Sequence, residues 1–365
     1  MESTTAERRI GDPDPRIVRR ERKRWLITAV IVLVVAVPSI FYFSGAYDRW
    51  NDSRSLSGAC RGSIESSQLN QLLGVDSLKA RDASTDDNPE FDSGTLHRCI
   101  ISSKVNGNYL DVSLDWNDNP DGGVGELRDR SFGGDPGPVS PIGHGWHGVV
   151  AAAEDRGVAV VAMKCSNKGR GRSLLVTLDG TFKAASSNQK TRLGFTAVHT
   201  AERAAEAWGC ETTQGRDQVN ALPGNDSMKP EPPGKAAGTC QGINVSTIGS
   251  RADGSAPIED CFIQSRDGLG TRYVMSAYYP PFDKAHAGNE IYSGEEGDET
   301  YRGSAMCSNG QRARYIIGSW SNYNGRDADG SETFSSDAAQ GKRQALKEFA
   351  TRSAKRHGCT ELKLP

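Results

Sequence analysis

The residues with the clearest capacity for chemistry are eight cysteines, all of which follow residue 59. An even number of cysteines in an exported protein is typical of disulfide bonds. Zinc sites instead use C-x-x-C or C-x-x-H pairs, and no such pair occurs among these cysteines. We therefore predict disulfides, and no metal site, for Cys60, Cys99, Cys165, Cys210, Cys240, Cys261, Cys307 and Cys359.

A second candidate is the sequence GHGWH, in which His144 and His147 flank Trp146. It closes a long polar segment, residues 117–147, whose length is typical of a binding loop or a disordered flap. The glycines disfavour a helix that would bring both imidazoles onto one metal, and no third ligand is evident. We favour a loop whose tryptophan packs onto a sheet; the alternative is an exposed ring that binds a glycan or peptide.

The start of the same segment, DWNDNPDGGVGE, resembles a calcium loop. Its oxygen-bearing residues fall at positions 1, 3, 5, 7 and 12 of the EF-hand spacing: Asp115, Asn117, Asn119, Asp121 and Glu126. Pro120 replaces the usual glycine, and no helices flank the loop, so a polar turn is favoured. The acidic segments 295–299 and 327–332 are interpreted as a solvated charge run and a turn.

Nothing in the chain indicates nucleophilic catalysis. There is no G-x-S-x-G motif, the cysteines are accounted for by pairing, and the six histidines are scattered. We therefore predict that the protein is not an enzyme and that it uses no cofactor. A net charge of −2 also gives no strong attraction to nucleic acid.

Basic residues recur in two matching segments, KGRGR and GQRAR. A solubilising hairpin tip is the favoured interpretation of both segments. The alternative is contact with an anionic polymer of the cell envelope. The residues concerned are Arg170, Arg172, Arg312 and Arg314.

The N-terminal part of the chain predicts a membrane anchor. Residues 1–24 form a basic tail, and Leu26 to Phe43 contain no charged residue. A helix over 25–45 is long enough to cross a bilayer, and the preceding basic cluster places the tail in the cytoplasm and the rest of the chain outside. The alternative is a cleaved signal peptide with its site at Ser44-Gly45-Ala46.

The outer part of the chain is predicted to be a tandem duplication. The sequence AMKCSN at residue 162 reappears as AMCSN at residue 305, and aligning Cys99 with Cys261 carries four cysteines of each copy into the same order. Without a gap, Val112 lies over Val274 and Trp116 over Tyr278. The predicted segments are a juxtamembrane linker, copy 1, a Pro/Gly-rich semi-flexible linker and copy 2: 46–57, 58–213, 214–237 and 238–363.

Each copy is predicted to have an α+β fold, with an antiparallel sheet of about four strands and helices on one face. YLDVSLDW at 109–116 alternates apolar and polar residues and predicts a half-buried strand. GVAVVAMKCS and RSLLVTLD predict a hairpin, and residues 196–208 a helix. DAAQGKRQALKEFATRSAKRH predicts the matching helix, and IESSQLNQLLG an entry helix that is shortened or absent in copy 2.

The predicted topology favours one disulfide pairing among the three that four cysteines allow. In each copy the closing helix returns to the end of the sheet where the cysteine of the AM(K)CSN segment lies. The preferred bridges are Cys165–Cys210 and Cys307–Cys359, which leaves Cys60–Cys99 and Cys240–Cys261.

These features together resemble a known group of proteins. A basic tail, one span, and outer units that open with C-x-G and close with a helix and G-C are similar to uncharacterised single-pass envelope proteins of streptomycete-type actinobacteria. More loosely, they resemble the extracellular sensor domains of mycobacterial serine/threonine kinases. The resemblance implies an envelope location and a binding or sensor-like function, and it transfers no catalytic residue.

The expected function is therefore a non-catalytic binding module anchored in the cell membrane. Its partner is an envelope polymer, another membrane protein or a small ligand. The alternatives are a structural or assembly subunit of a membrane complex and, less favoured, an envelope hydrolase.

Overall fold

The computed structural model describes most of the chain after residue 53. The described residues are 25, 54–56, 58–75, 77–83, 95–116, 137–169, 172–212, 215, 218–265, 270–284, 300–308, 310–319 and 338–365. Residues 53 to 365 form one compact unit. The predicted anchor at 25–45 lies outside the described residues except for Trp25, as do residues 295–299 and 327–332. Within the described ranges no helix combines the length and apolarity needed to span a bilayer.

The long helices among the described residues are α1 (Ser66–Leu73), α2 (Ser187–Ala207) and α3 (Ala338–Arg356). The predicted entry helix is confirmed as α1, whose three leucines are buried and whose end is marked by Gly74 in the left-handed conformation, φ 70°. Helix α2 begins nine residues before the predicted start at 196. It starts there because the Ser186 side chain caps it by accepting a hydrogen bond from the backbone N–H of Gln189.

The strands form two antiparallel sheets. Sheet A has seven strands in the order β1-β2-β3-β7-β6-β5-β4, and sheet B has six in the order β13-β11-β12-β10-β9-β8. The strands of sheet A are β1 Leu78–Asp82, β2 Thr95–Ser103, β3 Tyr109–Trp116, β4 Ser140–Gly143, β5 Trp146–Ala152, β6 Arg156–Lys164 and β7 Ser173–Thr181. Those of sheet B are β8 Thr247–Gly249, β9 Ile258–Gln264, β10 Thr271–Tyr278, β11 Tyr301–Cys307, β12 Arg312–Ser319 and β13 Cys359–Lys363.

The two sheets repeat one arrangement of strands. The order β1-β2-β3-β7-β6 in sheet A corresponds to β8-β9-β10-β12-β11 in sheet B, and a helix follows the last hairpin in each. The predicted α+β class and the predicted hairpins are thus confirmed. Each sheet has more strands than the predicted four, because the added strands are short edge strands or lack apolar alternation.

The gapless alignment of the copies holds from Cys261 to Thr271 and is wrong by one residue beyond that point. In the hairpin of copy 1, Cys99 lies opposite Val112, whereas in copy 2 Cys261 lies opposite Met275. The two turns are equal in length, but β10 contains a bulge between Thr271 and Tyr273, so Val112 corresponds to Met275 and not to Val274. A shift of one residue reverses the face of every following side chain.

The same shift changes the partner of Trp116. The aromatic residue in its place in copy 2 is Tyr279, which packs on the helix side of sheet B as Trp116 does in sheet A. Tyr278 points to the opposite face and belongs to the core between the sheets.

Three apolar cores hold the unit together. One lies between sheet A and its helices, and a second between sheet B and α3. The third lies between the two sheets, which places the layers in the order helix, sheet, sheet, helix. It contains valines and alanines of β5 and β6, and larger residues of copy 2: Ile258, Phe262, Val274, Tyr278, Phe282 and Ile316.

The described part of the predicted linker, residues 215 and 218–237, contacts both copies. Leu222 is buried in the core of copy 1. Asn225 donates through its amide to the carbonyl of Ala152 at 2.6 Å, and Glu231 forms a β-bridge with Thr247 of copy 2. Because it contributes to the core and to backbone pairing, this segment is packed structure in its described part and not a semi-flexible linker.

All eight cysteines are paired within their own copy, as predicted. The bridges are Cys60–Cys99, Cys165–Cys210, Cys240–Cys261 and Cys307–Cys359. No described cysteine is free. Each bridge ties a strand of the sheet to an outlying segment or to the end of the closing helix, so the disulfides fix the edges of each copy.

Candidate anion-binding site

A cavity of about 350 Å³ opens on sheet B and is rich in positive charge. Its lining consists of Arg302, Gly303, Ser304, Arg312, Arg314, Tyr315, Ile316, Lys363, Leu364 and Pro365. Four of these ten residues are arginine or lysine, and no acidic side chain lines the cavity. Arginine stays protonated under any physiological condition, so the cavity carries a concentrated positive field.

The alternation of side chains along β12 places two of the arginines. Ala313, Tyr315 and Ile317 pack in the core beneath α3. Arg312 and Arg314 therefore point to the opposite face, together with Ile316, which belongs to the core between the sheets. This face of sheet B is apolar where it packs against sheet A and basic toward the edge of sheet B.

The register of three strands puts Ser304 at the centre of the basic residues. Ser304 on β11 lies opposite Arg314 of β12 on one side and opposite Lys363 of β13 on the other. Arg302 precedes it by two residues on the same face. Neighbours across a sheet are about 5 Å apart and residues i and i+2 about 7 Å apart, so three basic residues are the sheet neighbours of Ser304 and line the same cavity.

A bulge and a glycine bring β13 into this position. The pairing of β11 with β13 shifts register between Ser304 and Met306, and Glu361 takes up the extra residue in the left-handed conformation, φ 52°. At Gly303 a Cβ atom would lie 2.6 Å from Leu364 Cδ2 and 3.0 Å from the carbonyl oxygen of Lys363. A larger residue at position 303 would therefore displace Leu364 and press on the backbone of β13.

The basic groups of the cavity are not used by the protein's own hydrogen bonds. The Nε of Arg314 is buried and has no hydrogen-bond partner among the described residues. Arg302, Arg312 and Lys363 are exposed, and in the part of the chain that the structure describes no ion pair engages any of the four cations. This arrangement can hold an anionic group, because its donors are clustered and unpaired.

The prediction of two matching basic hairpin tips is wrong for copy 2. Arg312 and Arg314 lie on β12 and not in the turn, because the turn after Cys307 is three residues shorter than the turn after Cys165. Arg172 lies just before β7, with its guanidinium 4.8 Å from the ring centre of Trp116. Arg170 is outside the described residues.

The three candidate residues of GHGWH do not converge. Trp146 begins β5 and is 1% exposed in the core beneath α2. It is covered by Gly215, where a Cβ atom would lie 2.2 Å from the indole. His144 is exposed in the β4–β5 turn, and His147 follows Trp146 on the strand and so faces the other side of the sheet. Trp146 therefore packs inside the protein and does not offer its ring to a ligand.

His147 and Asp115 lie in environments that disfavour their charged forms. The pKa of His147 is lowered to about 4, first by removal of its ring from water and then by the nearby charges of His357 and Lys164. Burial raises the pKa of Asp115, which accepts a hydrogen bond from Ser113 at 2.6 Å. No group of three His, Cys, Asp or Glu residues among those described is placed to hold a metal. The remaining positions of the calcium-like spacing, 117–126, lie outside the described residues.

A buried polar network lies beneath sheet B, on the face opposite the cavity. Glu259 of β9 is 1% exposed. Its carboxylate accepts hydrogen bonds from Ser353 Oγ at 2.6 Å and from Arg356 Nε and Nη2 at 2.9 Å each. Burial alone would raise the pKa of Glu259, but His357 and Arg356 outweigh it and lower the pKa to about 2. Glu259 is thus an ionised carboxylate inside the protein.

Two tyrosines on the same face extend this network as far as β12. Tyr279 shares a hydrogen bond with Ser353 at 2.6 Å and stacks on His357 with ring centres 3.6 Å apart. Its hydroxyl lies 3.4 Å from that of Tyr315, whose pKa burial raises to about 12. Tyr315 also lines the cavity, so the network supports the strand that carries Arg312 and Arg314.

Comparison with protein-family models, with curated proteins and with solved structures finds no match for this chain. The site therefore rests on its own geometry. Arg302, Ser304 and Lys363 were not singled out from the sequence. The alternation of basic residues in YRGS and RARY is a signal that could have found Arg302, whereas Lys363 depends on the β13 bulge.

Proposed function

We propose that this protein is an extracytoplasmic module, anchored in the cell membrane through residues 25–45, that binds an anionic ligand in the cavity of sheet B without catalysis. The observation that carries the proposal is the grouping of Arg302, Arg312, Arg314 and Lys363 around one cavity that has no acidic side chain in its lining. Four disulfides support an oxidising, external location for this part of the chain.

The four cations of the cavity repel one another, and a bound anionic ligand would offset this repulsion. Like charges 5–7 Å apart repel one another, and surface arginines usually lie near carboxylates. The whole chain has more acidic than basic residues, 46 against 44, so the basic cavity is a local feature and not a reflection of composition. A cluster of this kind attracts anions and raises their association rate.

The test is equilibrium binding of a fluorescent polyanion, polyphosphate or polyglutamate, to the full-length protein in neutral detergent micelles. We expect saturable binding that weakens as salt increases. The double variant Arg312→Gln/Arg314→Gln should lower the affinity at least tenfold, because it removes two of the four cations.

A matched control is available on β1. Lys79 and Arg81 are exposed and are spaced by two residues on one strand, as Arg312 and Arg314 are. Lys79→Gln/Arg81→Gln changes the net charge equally and should leave binding unchanged. Equal loss in both double variants would mean a general charge effect and would contradict the proposal, and so would the absence of binding by the unaltered protein.

The location is tested separately by protease treatment of intact cells that carry epitope tags at either end. We expect loss of the C-terminal tag and protection of the N-terminal tag. Protection of both tags would contradict the external placement.

A further inference from the structure

We infer that the group held in the cavity is a phosphoryl group, in a phosphate ester of a small carbon skeleton, with Ser304 as the residue that positions it. This inference rests on the proposed function, since it names the chemical class of ligand for the same cavity. It comes from the arrangement of donors around Ser304, and not from their charge alone.

The donors approach Ser304 from different directions. Arg314 reaches it across one neighbouring strand, Lys363 across the other, and Arg302 along β11 itself. A carboxylate presents two oxygens in one plane, which a single guanidinium matches with two parallel hydrogen bonds. A phosphoryl group presents three oxygens in a tetrahedral arrangement, so it can accept from several directions at once. The Ser304 hydroxyl adds a fourth, short donor at the centre.

The duplicated copy gives an internal reference for this site. Counting back from the matching cysteines, Ser304 corresponds to Ala162 of β6, and Arg302 corresponds to Val160. Arg314 likewise corresponds to Leu175 of β7, which pairs with Ala162 as Arg314 pairs with Ser304.

In copy 1 all three of these positions are apolar and buried in the core between the sheets. The same scaffold therefore needs no polar residue at these positions to fold. Copy 2 has two guanidinium groups and a hydroxyl where copy 1 has three apolar side chains, so folding alone does not account for this polar set.

The walls of the cavity indicate an ester and not free phosphate. Ile316, Leu364 and Pro365 line it together with the cations. A volume of about 350 Å³ lies at the lower end of the range for small-molecule sites, and it exceeds what one phosphoryl group fills. The carbon part of a small ester can pack on these apolar residues while the phosphoryl group lies at Ser304.

The experiment is isothermal titration of the full-length protein in detergent micelles with glycerol 1-phosphate, glycerophosphoglycerol, inorganic phosphate and malonate. We expect the monoester or the diester to bind at least tenfold more tightly than malonate, and more tightly than inorganic phosphate. The variant Ser304→Ala should weaken ester binding about tenfold, as expected for a hydrogen bond to a charged group, and leave malonate binding unchanged. Ser102→Ala, an exposed serine on β2, is the matched control.

The outcomes separate this inference from the proposed function. If none of the four compounds binds and polyanions do not bind either, the proposed function fails. If malonate binds as tightly as the esters, or if Ser304→Ala weakens both classes equally, the anion-binding function stands and the phosphoryl inference is overturned. Selective loss of ester binding in Ser304→Ala supports the phosphoryl inference. Tighter binding of the monoester then indicates a ligand with a terminal phosphoryl group, and tighter binding of the diester indicates a bridging one.

Discussion

The buried carboxylate Glu259 is expected to be a major source of stability, and replacing it by glutamine tests this directly. Glutamine has nearly the same shape but no charge. In the variant, the Arg356 guanidinium would lose the carboxylate that it contacts through two hydrogen bonds of 2.9 Å. Ser353 would also lose an ionised acceptor at 2.6 Å.

The magnitude follows from the pKa. A carboxyl group whose pKa falls from 4.5 to about 2 on folding stabilises the folded state by about 3 kcal/mol at neutral pH. Removal of one partner from a buried ion pair typically costs about 3–5 kcal/mol. Both arguments give a loss of about 3 kcal/mol in the free energy of unfolding for Glu259→Gln.

The effect depends on pH in a defined direction. Because the folded pKa lies below the unfolded one, the stabilisation is complete above pH 4.5 and is lost as the pH falls toward 2. The assay is urea unfolding of the disulfide-intact full-length protein at several pH values between 2.5 and 7, followed by circular dichroism. The gap between wild type and variant should be greatest near pH 7 and should close toward pH 2.5.

Glu206→Gln on the exposed face of α2 is the matched control, and it should change stability by less than about 0.5 kcal/mol. A gap between wild type and Glu259→Gln that stays constant from pH 7 to pH 2.5 would refute the reasoning, because it would show that the carboxylate charge is not what stabilises. A loss no greater than that of Glu206→Gln would refute it as well.

Three further predictions concern other parts of the fold. Lys190 is fully buried, and burial lowers its pKa from 10.5 to about 8. Lys190→Met should therefore raise the free energy of unfolding by up to about 3 kcal/mol below pH 8, and this gain should vanish as the pH rises to 10.5. Urea unfolding at pH 7 and at pH 10.5 checks both expectations. Phe262→Ala in the core between the sheets should lower stability by about 3–5 kcal/mol; calorimetry should still show one transition, whereas two transitions would contradict a shared core. Replacement of Cys165 and Cys210 by serine should cost about 2–4 kcal/mol, and peptide mapping without reduction should recover the other three bridges unchanged.

Much of the local structure could be predicted because it depends on short-range patterns. The alternation in YLDVSLDW identifies β3 and its buried face, since the side chains of a strand alternate between faces whatever covers them. The repeated order of cysteines identifies the two copies, and a simple topological argument is enough for their pairing. In the same way, three leucines at helical spacing followed by Gly74 define α1 and its end.

Other features depend on long-range contacts that no local pattern contains. A bulge within β10 decided that Val112 corresponds to Met275, since one added residue reverses the face of the strand beyond it. A turn three residues shorter than its counterpart moved Arg312 and Arg314 from a turn to a strand. The sequence also could not show that the second face of each sheet packs against the other copy. Periodicity shows that a face is apolar, but not which part of the protein packs on it.

The candidate site was decided at the tertiary level. Arg302, Arg314 and Lys363 come from three strands, and only the register of β11 with β12 and β13 brings them around Ser304. The sequence by itself determined the main strands and helices, the duplication and the pairing of the cysteines. The tertiary structure decided which side chains share a space, because that depends on pairings between residues far apart in the chain, such as Ser304 with Lys363, which are 59 positions apart.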